Sequence, residues 1–405
     1  IDEGVTFSVI CDTQEQDDWY VATTGSDGSG NGTQENPFAT IQTGINIAGD
    51  GNTVHVTSGT YVENISYSGK SISINGEDRE TTIVDADSSG RPFTFDGDDQ
   101  HTIALSGLTF TNGNNGQGGG IYITDGMNID LFNLIITGNT GGGNNTGGGA
   151  YINSSTGDIS DVIISDNDAY GGGGLSVSTS NLTLNGVDFI DNHGANNSGG
   201  AYFHTSNVNI YNSVFTGNHA HYNGGALHVG GEGEYNFTNV TIIGNSTGYS
   251  NCSPCHASRG SALDIGTDAD VNISNSIIWD NTGAVAEIVF GINQTSGTLN
   301  MSYTDLHGGQ DEILEWNGEW VNVEENIVNW GEGNIDADPL FCEAESGNYH
   351  IAGNSPCAGT GQDGSDMGSL GVGCDDIWFP PTITAIEDMS MDEDSETVLQ
   401  LFADS

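Results

Sequence analysis

The densest group of potential metal ligands in the sequence is the run Cys252-Ser253-Pro254-Cys255-His256. Two cysteines that are separated by two residues and followed by histidine form the pattern to which haem c is attached covalently. The same side chains suit a zinc ion, and a disulfide between Cys252 and Cys255 would tie off an exposed loop. The run therefore predicts haem c with His256 as the proximal ligand, a Zn²⁺ site, or a disulfide clip.

Further histidines recur upstream of this run, one and two sequence repeats earlier. They occur as His219-Ala220-His221 and Asn192-His193-Gly194, in loops equivalent to the one that holds the cysteine run. If the repeats stack, three consecutive repeats present histidines on the same flank of the molecule. His219 or His221 is then the candidate distal ligand of a haem, or a further ligand of a zinc ion.

Acidic residues are a second group of candidate ligands. Asp96, Asp98 and Asp99 offer the hard carboxylate oxygens that calcium prefers. Asp and Glu number 56 in the whole chain, so an acidic surface adapted to salt accounts equally well for any one cluster. We therefore keep both a Ca²⁺ site at these three residues and a merely acidic surface as hypotheses.

The charge of the chain limits its partners. Lys and Arg total 4, and the formal net charge is -52. Such self-repulsion requires screening or bound cations, which indicates a saline or calcium-containing environment. Nucleic acid is excluded as a partner because no basic patch exists to neutralise phosphates. No apolar run approaches the ~18 residues that would insert in a membrane, and the first four residues lack the features of a signal peptide.

Six cysteines in a chain so poor in lysine favour an oxidising, extracellular compartment. We expect disulfides, with pairing that the sequence leaves open, and a cap built on them where the chain closes. The cysteines are Cys11, Cys252, Cys255, Cys342, Cys357 and Cys374.

An internal repeat must position all of these side chains. Six asparagines mark it, at intervals of 28, 25, 26, 27 and 36 residues. After each of the first five, a polar loop leads to a glycine-containing turn and a strand with apolar residues at every second position, as in Gly199-Gly200-Ala201-Tyr202. The landmark asparagines are Asn139, Asn167, Asn192, Asn218, Asn245 and Asn281.

A unit of about 26 residues with short alternating strands buries its apolar side only by stacking on identical units. Asn at a fixed point of each coil can hydrogen-bond the Asn above and below, and it tolerates a left-handed turn. Six residues before each landmark lies a second and looser turn ladder, formed by Asn133, Asp161, Gly186, Asn212, Asn239 and Asn275. Hairpins do not require this fixed spacing, so a parallel solenoid is predicted.

These repeats resemble those of polymorphic outer-membrane and pectate-lyase-like proteins, which are right-handed parallel β-helices. The opening, Trp19 to Asp27 followed by Asn36 to Gln42, is similar to the entry segment of bacterial β-helix proteins, and the resemblance implies a capping helix from Ile41 to Ala48. The ending, from Asp338 to Cys357, resembles the choice-of-anchor Q domain of secreted bacterial proteins. Segments 382–388 and 391–394 resemble the first strands of a cadherin-like or immunoglobulin-like repeat.

The chain is thus divided into three parts. Residues 1–18 are a lead or the end of a preceding module, 19–376 an all-β right-handed parallel β-helix with terminal caps, and 377–405 a linker with the first strands of a β-sandwich. We expect a piece of a larger modular protein of the bacterial cell surface.

A structural or adhesive surface module that binds glycans or partner proteins is the favoured function, without enzymatic activity, and self-assembly through the solenoid ends is compatible with it. The alternative is a secreted polysaccharide lyase or hydrolase. The resemblance implies that a lyase would use a basic residue, for which Lys70, Arg79 and Arg91 are candidates, whereas a hydrolase needs two carboxylates. A module that carries haem or metal at the cysteine run is the third hypothesis.

Overall fold

The structure, a computed structural model, describes most of the chain. The described residues are 16–67, 69–96, 101–143, 146–248, 260–283, 285–291, 297–316, 319–323 and 327–377. The segments that resemble a cadherin-like or immunoglobulin-like repeat, 382–388 and 391–394, lie outside these ranges, as does the cysteine run at 252–256.

One α-helix and 36 strands follow one another along the described chain. The first part contains β1 Asp18–Val21, α1 Ile41–Ile47, β2 Thr53–Val56, β3 Gly59–Val62, β4 Ile65–Tyr67, β5 Ile72–Gly76, β6 Thr82–Asp85, β7 Phe93–Asp96, β8 Thr102–Thr111, β9 Asn114–Asn115, β10 Ile121–Thr124, β11 Asn128–Thr137 and β12 Thr140–Gly141. The middle part contains β13 Ala150–Asn153, β14 Thr156–Ser165, β15 Asp168–Ala169, β16 Leu175–Ser178, β17 Asn181–Ile190, β18 His193–Gly194, β19 Ala201–His204, β20 Asn207–Thr216, β21 His219–Ala220, β22 Leu227–Gly230, β23 Gly233–Ile243 and β24 Ser246–Thr247. The last part contains β25 Leu263–Ile265, β26 Ala269–Ser274, β27 Ile277–Trp279, β28 Ile288–Phe290, β29 Thr298–Ser302, β30 Asp305–Leu306, β31 Ile313–Trp316, β32 Trp320–Asn322, β33 Val328–Trp330, β34 Phe341–Glu343, β35 Asn348–Ala352 and β36 Val372–Cys374, with short 3₁₀ turns at Gly309–Glu312, Ala344–Ser346 and Gln362–Gly364.

These strands form three sheets that run along the solenoid and one small sheet, β34 to β36, near the end of the described chain. Sheet 1 has 16 strands, on a path β1-β2-β5-β8-β11-β14-β17-β20-β23-β26-β29-β33 with β3, β6, β27 and β30 beside it. Sheet 2 has 11 strands from β4 to β32, and sheet 3 has six short strands from β9 to β24. Pairing along sheets 1 to 3 is parallel except for the antiparallel pair β31 and β32.

Like residues lie over like residues from coil to coil. Leu105, Leu131 and Ile159 are aligned in sheet 1 and are buried, and the rings of Phe189 and Phe215 stack with centroids 4.4 Å apart. Apolar side chains alternate with outward polar ones because successive residues of a strand point to opposite faces. The predicted all-β parallel solenoid with coils of about 26 residues is confirmed.

The landmark asparagines form a continuous ladder inside the solenoid. The side-chain amide of each donates to the Oδ1 of the next, at 3.1 Å from Asn139 to Asn167 and 2.9 Å from Asn218 to Asn245. Each Oδ1 also accepts the backbone N–H of the preceding ladder residue, as Asn218 does from Asn192 at 3.1 Å. The ladder thus satisfies buried main-chain groups at the same corner of successive coils.

The second turn ladder bends the ten-residue strands of sheet 1. Its residues have positive φ angles, such as 54° at Asn133, 53° at Asp161 and 66° at Gly186. Asn, Asp and Gly are the residues that adopt this left-handed conformation at low cost. Each long strand therefore turns a corner without leaving the sheet.

The capping helix lies over the first coils, as the resemblance implied. Helix α1 begins after Thr40, whose side chain accepts the N–H of Thr43 at 3.2 Å. The carboxylate of Glu63 accepts the N–H groups of Ile41 and Gln42 at 2.9 and 3.0 Å. Side chains from neighbouring segments thus satisfy donors that the first turn of a helix leaves free.

The described chain ends in a lobe, residues 338–377, which packs against the outside of sheet 1. The disulfide Cys342–Cys374 spans it, and the Tyr349 hydroxyl lies 2.6 Å from that of Thr216. Cys357 was expected to form a disulfide, but it is a free, buried thiol. Its Sγ donates to the Asp305 carboxylate at 3.0 Å inside a small apolar cluster, so the thiol serves packing and a hydrogen bond.

No helix among the described residues is long and apolar enough to cross a membrane.

Candidate functional site

A cleft opens where the lobe meets sheet 1, and we call it the lobe cleft. Its cavity volume is about 290 Å³. Sheet 1 contributes Asp188 and Thr216, the turn after β17 contributes Asp191, and the lobe contributes Tyr349 and Leu370. Two carboxyl groups therefore share a cleft that has an aromatic and apolar opposite wall.

Asp188 reaches the cleft because of the bend in β17. The left-handed Gly186 is followed by strict alternation, so Val187 and Phe189 are buried while Asp188 faces outward. The Asp188 carboxylate accepts a hydrogen bond from the backbone N–H of Val214 on the next coil. The side chain is half-buried rather than fully exposed.

Burial raises the pKa of Asp188 above its ordinary value, and the nearby charge of Asp161 adds to the shift. The hydrogen bond from Val214 and the charge of Arg79 act in the opposite direction. Arg79 lies close because its guanidinium donates to the main-chain oxygen of Asp161 at 2.9 Å. A carboxyl group in such surroundings keeps its proton to higher pH than an exposed aspartate does.

Asp191 lies at the turn that follows β17, directly before the ladder residue Asn192. It has a φ of 52° and is exposed. Burial and the neighbouring Asp166 raise its pKa as well. The cleft thus combines a more enclosed carboxyl group with a more exposed one, an arrangement that allows acid and base chemistry on a single substrate.

A separate cluster of three histidines lies on sheet 3, and we call it the histidine cluster. The short strands of that sheet align Asp168, His193, His219 and Ser246 in one outward row. His221 follows His219 by two residues and points to the same side. Ala220, which lies between His219 and His221, is small and buried.

The three imidazoles contact one another directly. His193 Nε2 lies 3.2 Å from His221 Nε2, and each of the three residues offers a ring nitrogen within 4.8 Å of the others. The rings of His193 and His219 stack with centroids 5.6 Å apart, and both meet the His221 ring edge to face. All three side chains are partly buried.

Burial lowers the pKa of His219 and of His221, and the positive charge of a protonated His193 lowers both further. A hydrogen bond to the backbone of Gly248 and one to that of Ser246 oppose the shift at His219. A hydrogen bond to the backbone of Ala195 and the negative charge of Asp168 raise the pKa of His221 and so oppose part of the shift. Neutral imidazole, which is the form that binds metal ions, is therefore favoured.

The structure places His219 and His221 two residues apart on one coil and His193 on the coil before them, and their role as metal ligands stays a prediction. Cys252, Cys255 and His256 lie outside the described residues, so haem c, Zn²⁺ or a disulfide at that run stays a prediction. His193 belongs to the cluster although the sequence analysis did not assign it as a ligand. Its position one residue after a ladder asparagine, like that of His219, is the sequence feature that indicates its place in the cluster.

The predicted calcium ligands are described only in part. Asp96 ends strand β7, whereas its side chain and residues Asp98 and Asp99 lie outside the described residues. A calcium site there therefore stays a prediction.

The three basic residues proposed for a lyase do not lie together in one site. The ammonium of Lys70 donates to the carbonyl oxygens of Ile45, Asn46 and Ala48, at 2.9, 3.0 and 2.7 Å. This contact satisfies carbonyls at the C-terminal end of helix α1.

Arg91 is engaged on sheet 2, where its guanidinium lies 4.5 Å from the ring centre of Tyr122. Its Nε donates to the Gly118 oxygen at 2.6 Å. Of the three, only Arg79 is near the lobe cleft.

Comparison with known proteins finds similarity in fold alone. No family model matches the sequence, and neither does any curated protein. Among solved structures the chain is similar to the pectate lyase Pel9A at 14% identity, with 88% of this chain and 96% of that one covered and a TM-score of 0.48. It is also similar to a rhamnogalacturonan lyase at 13% identity, with 82% of this chain and 91% of that one covered and a TM-score of 0.34. Its identity to a pectin methylesterase is 13%, with 79% of this chain and 90% of that one covered and a TM-score of 0.28. At these identities and TM-scores the likeness carries no conclusion about the activity or substrate of this chain.

Proposed function

We propose that the chain is a secreted enzyme that hydrolyses a polysaccharide in the lobe cleft. The observation that carries this proposal is the presence of a half-buried carboxyl group, Asp188, and a more exposed one, Asp191, in the same cleft. Retaining and inverting glycosidases both use a pair of carboxyl groups that flank the scissile bond. The geometry therefore favours the enzyme alternative over the adhesive module that the sequence analysis preferred.

Asp188 acts as the general acid. Its enclosure, which raises the pKa, keeps the proton available for the leaving oxygen of the glycosidic bond. Asp191, which solvent reaches more easily, acts as the carboxylate that either attacks the sugar or activates water. Tyr349 and Leu370 form the apolar wall against which a sugar ring packs.

Hydrolysis fits the cleft better than elimination does. Elimination from a uronate needs a free basic side chain, and Lys70 and Arg91 are already engaged in other contacts. Arg79 donates to Asp161 and stands beside acidic groups, so it orients carboxylates rather than abstracting a proton. Arg259, the fourth basic residue of the chain, lies outside the described residues.

A neutral polysaccharide is the substrate class that suits this chain. The formal charge of -52 repels an anionic polymer unless cations screen it. Four acidic residues, Asp161, Asp166, Asp188 and Asp191, lie in or next to the cleft. Hydroxyl groups of a neutral glycan can donate to such carboxylates without that repulsion.

The test measures reducing ends released from a panel of neutral and anionic polysaccharides. We expect release from a neutral polymer and a loss of at least ~100-fold in kcat for Asp188→Asn, because a positioned general acid contributes that much or more. Activity of the wild type should also fall as the pH rises through the elevated pKa of Asp188, since the proton is then lost.

Asp158→Asn is the matched control, because Asp158 is an exposed acid on the outer face of the same sheet. It should leave kcat unchanged. Unsaturated products, detected by ultraviolet absorbance, would indicate a lyase. Binding of a polysaccharide without any release of product would overturn the proposal in favour of an adhesive module.

A further inference from the structure

The geometry points to a second, independent site: His193, His219 and His221 bind one divalent transition-metal ion, Zn²⁺ or Cu²⁺, through their Nε2 atoms. This inference does not rest on the proposed hydrolase. The ligands come from consecutive coils of sheet 3, whereas the lobe cleft lies on sheet 1.

The nitrogen separations suit a metal ion. Zinc binds imidazole nitrogen at about 2.0–2.1 Å, so two nitrogens of a tetrahedral site are about 3.3 Å apart. His193 Nε2 and His221 Nε2 are already 3.2 Å apart. The third residue, His219, offers a ring nitrogen within 4.8 Å of the other two, so its side chain must move closer when the ion binds.

Hydrogen bonds orient two of the rings for this role. His193 Nδ1 lies 2.6 Å from the Asp168 carboxylate, so that Nδ1 carries the proton and Nε2 is left as the electron-pair donor. His219 Nδ1 lies 2.9 Å from the hydroxyl of Ser246, and this contact helps to orient the His219 ring. A carboxylate behind a ligating histidine is the usual second layer of a histidine metal site.

The donor set selects the class of ion. Three neutral imidazoles suit zinc and copper, whereas calcium and magnesium prefer oxygen ligands. Three protein ligands leave one tetrahedral position for water or a further ligand. The strong negative charge of the whole chain favours a cation at any such site.

The test is calorimetric titration of the metal-free full chain with Zn²⁺ and with Cu²⁺ in separate experiments. We expect one ion per chain, with affinity lowered at least ~100-fold in His193→Gln, His219→Gln and His221→Gln. Asp168→Asn should weaken binding by about 10- to 100-fold, because it removes only the orienting carboxylate. The ion should raise the Tm of the wild type and of the Asp168 variant at saturation, but not that of the histidine variants.

Two control variants distinguish the histidine cluster from a metal site elsewhere in the chain. His204→Gln, which changes an exposed histidine on sheet 2, should bind the ion as the wild type does. The double variant Cys252→Ser and Cys255→Ser should also keep one site. Loss of binding in the cysteine variant together with retention in His193→Gln would overturn the proposal and assign the ion to the cysteine run. Absence of binding of either ion to the wild type would overturn it as well.

Discussion

Two of the asparagine ladders that run along this solenoid differ in what surrounds them. The inner ladder, from Asn139 to Asn281, lies at the corner before sheet 3 and is almost wholly buried up to Asn245. The outer ladder lies on the solvent face of sheet 1. Its members are Asn209, Asn236, Asn272, Asn300 and Asn329.

Amide-to-amide distances are nearly the same in the two ladders. Asn218 donates to Asn245 at 2.9 Å inside, and Asn236 donates to Asn209 at 2.9 Å outside. Only the inner residues also bond the main chain, as Asn218 does with the carbonyl of Phe189 at 2.8 Å. The amide contact therefore specifies the fold in the inner ladder, where it satisfies buried backbone groups that water does not reach. In the outer ladder the same contact contributes little, because water can replace it.

The largest effect that this comparison predicts is that of Asn218→Leu in the inner ladder. The substitution removes the hydrogen bonds that Asn218 makes to three buried groups: the N–H of Asn192, the carbonyl of Phe189, and the side-chain amide of Asn192, which keeps only its bond to the carbonyl of Ile164. At about 1–3 kcal/mol for each unsatisfied group, we expect the free energy of unfolding to fall by about 4 kcal/mol. Denaturant-induced unfolding measures it, and a loss below about 1 kcal/mol would mean that the inner ladder does not specify the fold.

A substitution of Glu287, where the inner ladder ends, is predicted to have an intermediate effect on the free energy of unfolding. The N–H of Asn281 donates not to another asparagine but to the carboxylate of Glu287, at 3.2 Å. Glu287 is 3% exposed, and burial raises its pKa from 4.5 to about 7, with the charge of Glu312 adding to the shift. Hydrogen bonds from Asn281 and Ser261 oppose it.

A raised pKa means that the folded protein holds the proton more tightly than the unfolded chain. The contribution of Glu287 to stability is therefore fully present below pH 4.5 and is lost as the pH rises through about 7, by about 3 kcal/mol in total. Glu287→Gln should abolish this dependence of the free energy of unfolding on pH. Because the imidazole of His307 lies 3.8 Å from the carboxylate, the quantity to measure is the difference in the free energy of unfolding between wild type and variant from pH 4 to 8. A constant difference would contradict the prediction.

Much of this architecture could be predicted from the sequence, because it repeats. The spacing of the landmark asparagines predicts stacked coils, and alternation predicts which residues are buried. The same spacing predicts that equivalent loops of successive coils lie on one flank, which is where His193 and His219 are paired. The capping helix expected over Ile41 to Ala48 spans Ile41–Ile47.

What could not be predicted depends on contacts that do not repeat. The lobe cleft exists because Tyr349 reaches Thr216, 133 residues earlier in the chain, and no periodicity encodes that contact. Asp188 was therefore missed among many acidic residues. Cys357 was grouped with the disulfide cysteines because even cysteine counts favour pairing, whereas its neighbour in space, Asp305, lies 52 residues away in sequence.

The smallest effect is expected for Asn236→Leu, which matches the inner substitution in chemistry but lies in the outer ladder. Asn236 is partly exposed, donates to Asn209 and accepts from Asn272 at 2.8 Å, and water can replace both contacts when the amide is removed. Leucine also fits the outer face of a strand, so the free energy of unfolding should change by less than about 1 kcal/mol. The same denaturant series as for Asn218→Leu measures it. If the two substitutions were equally destabilising, burial would not be the reason that the inner ladder holds the coils in register. The amide-to-amide contact itself would then be the cause.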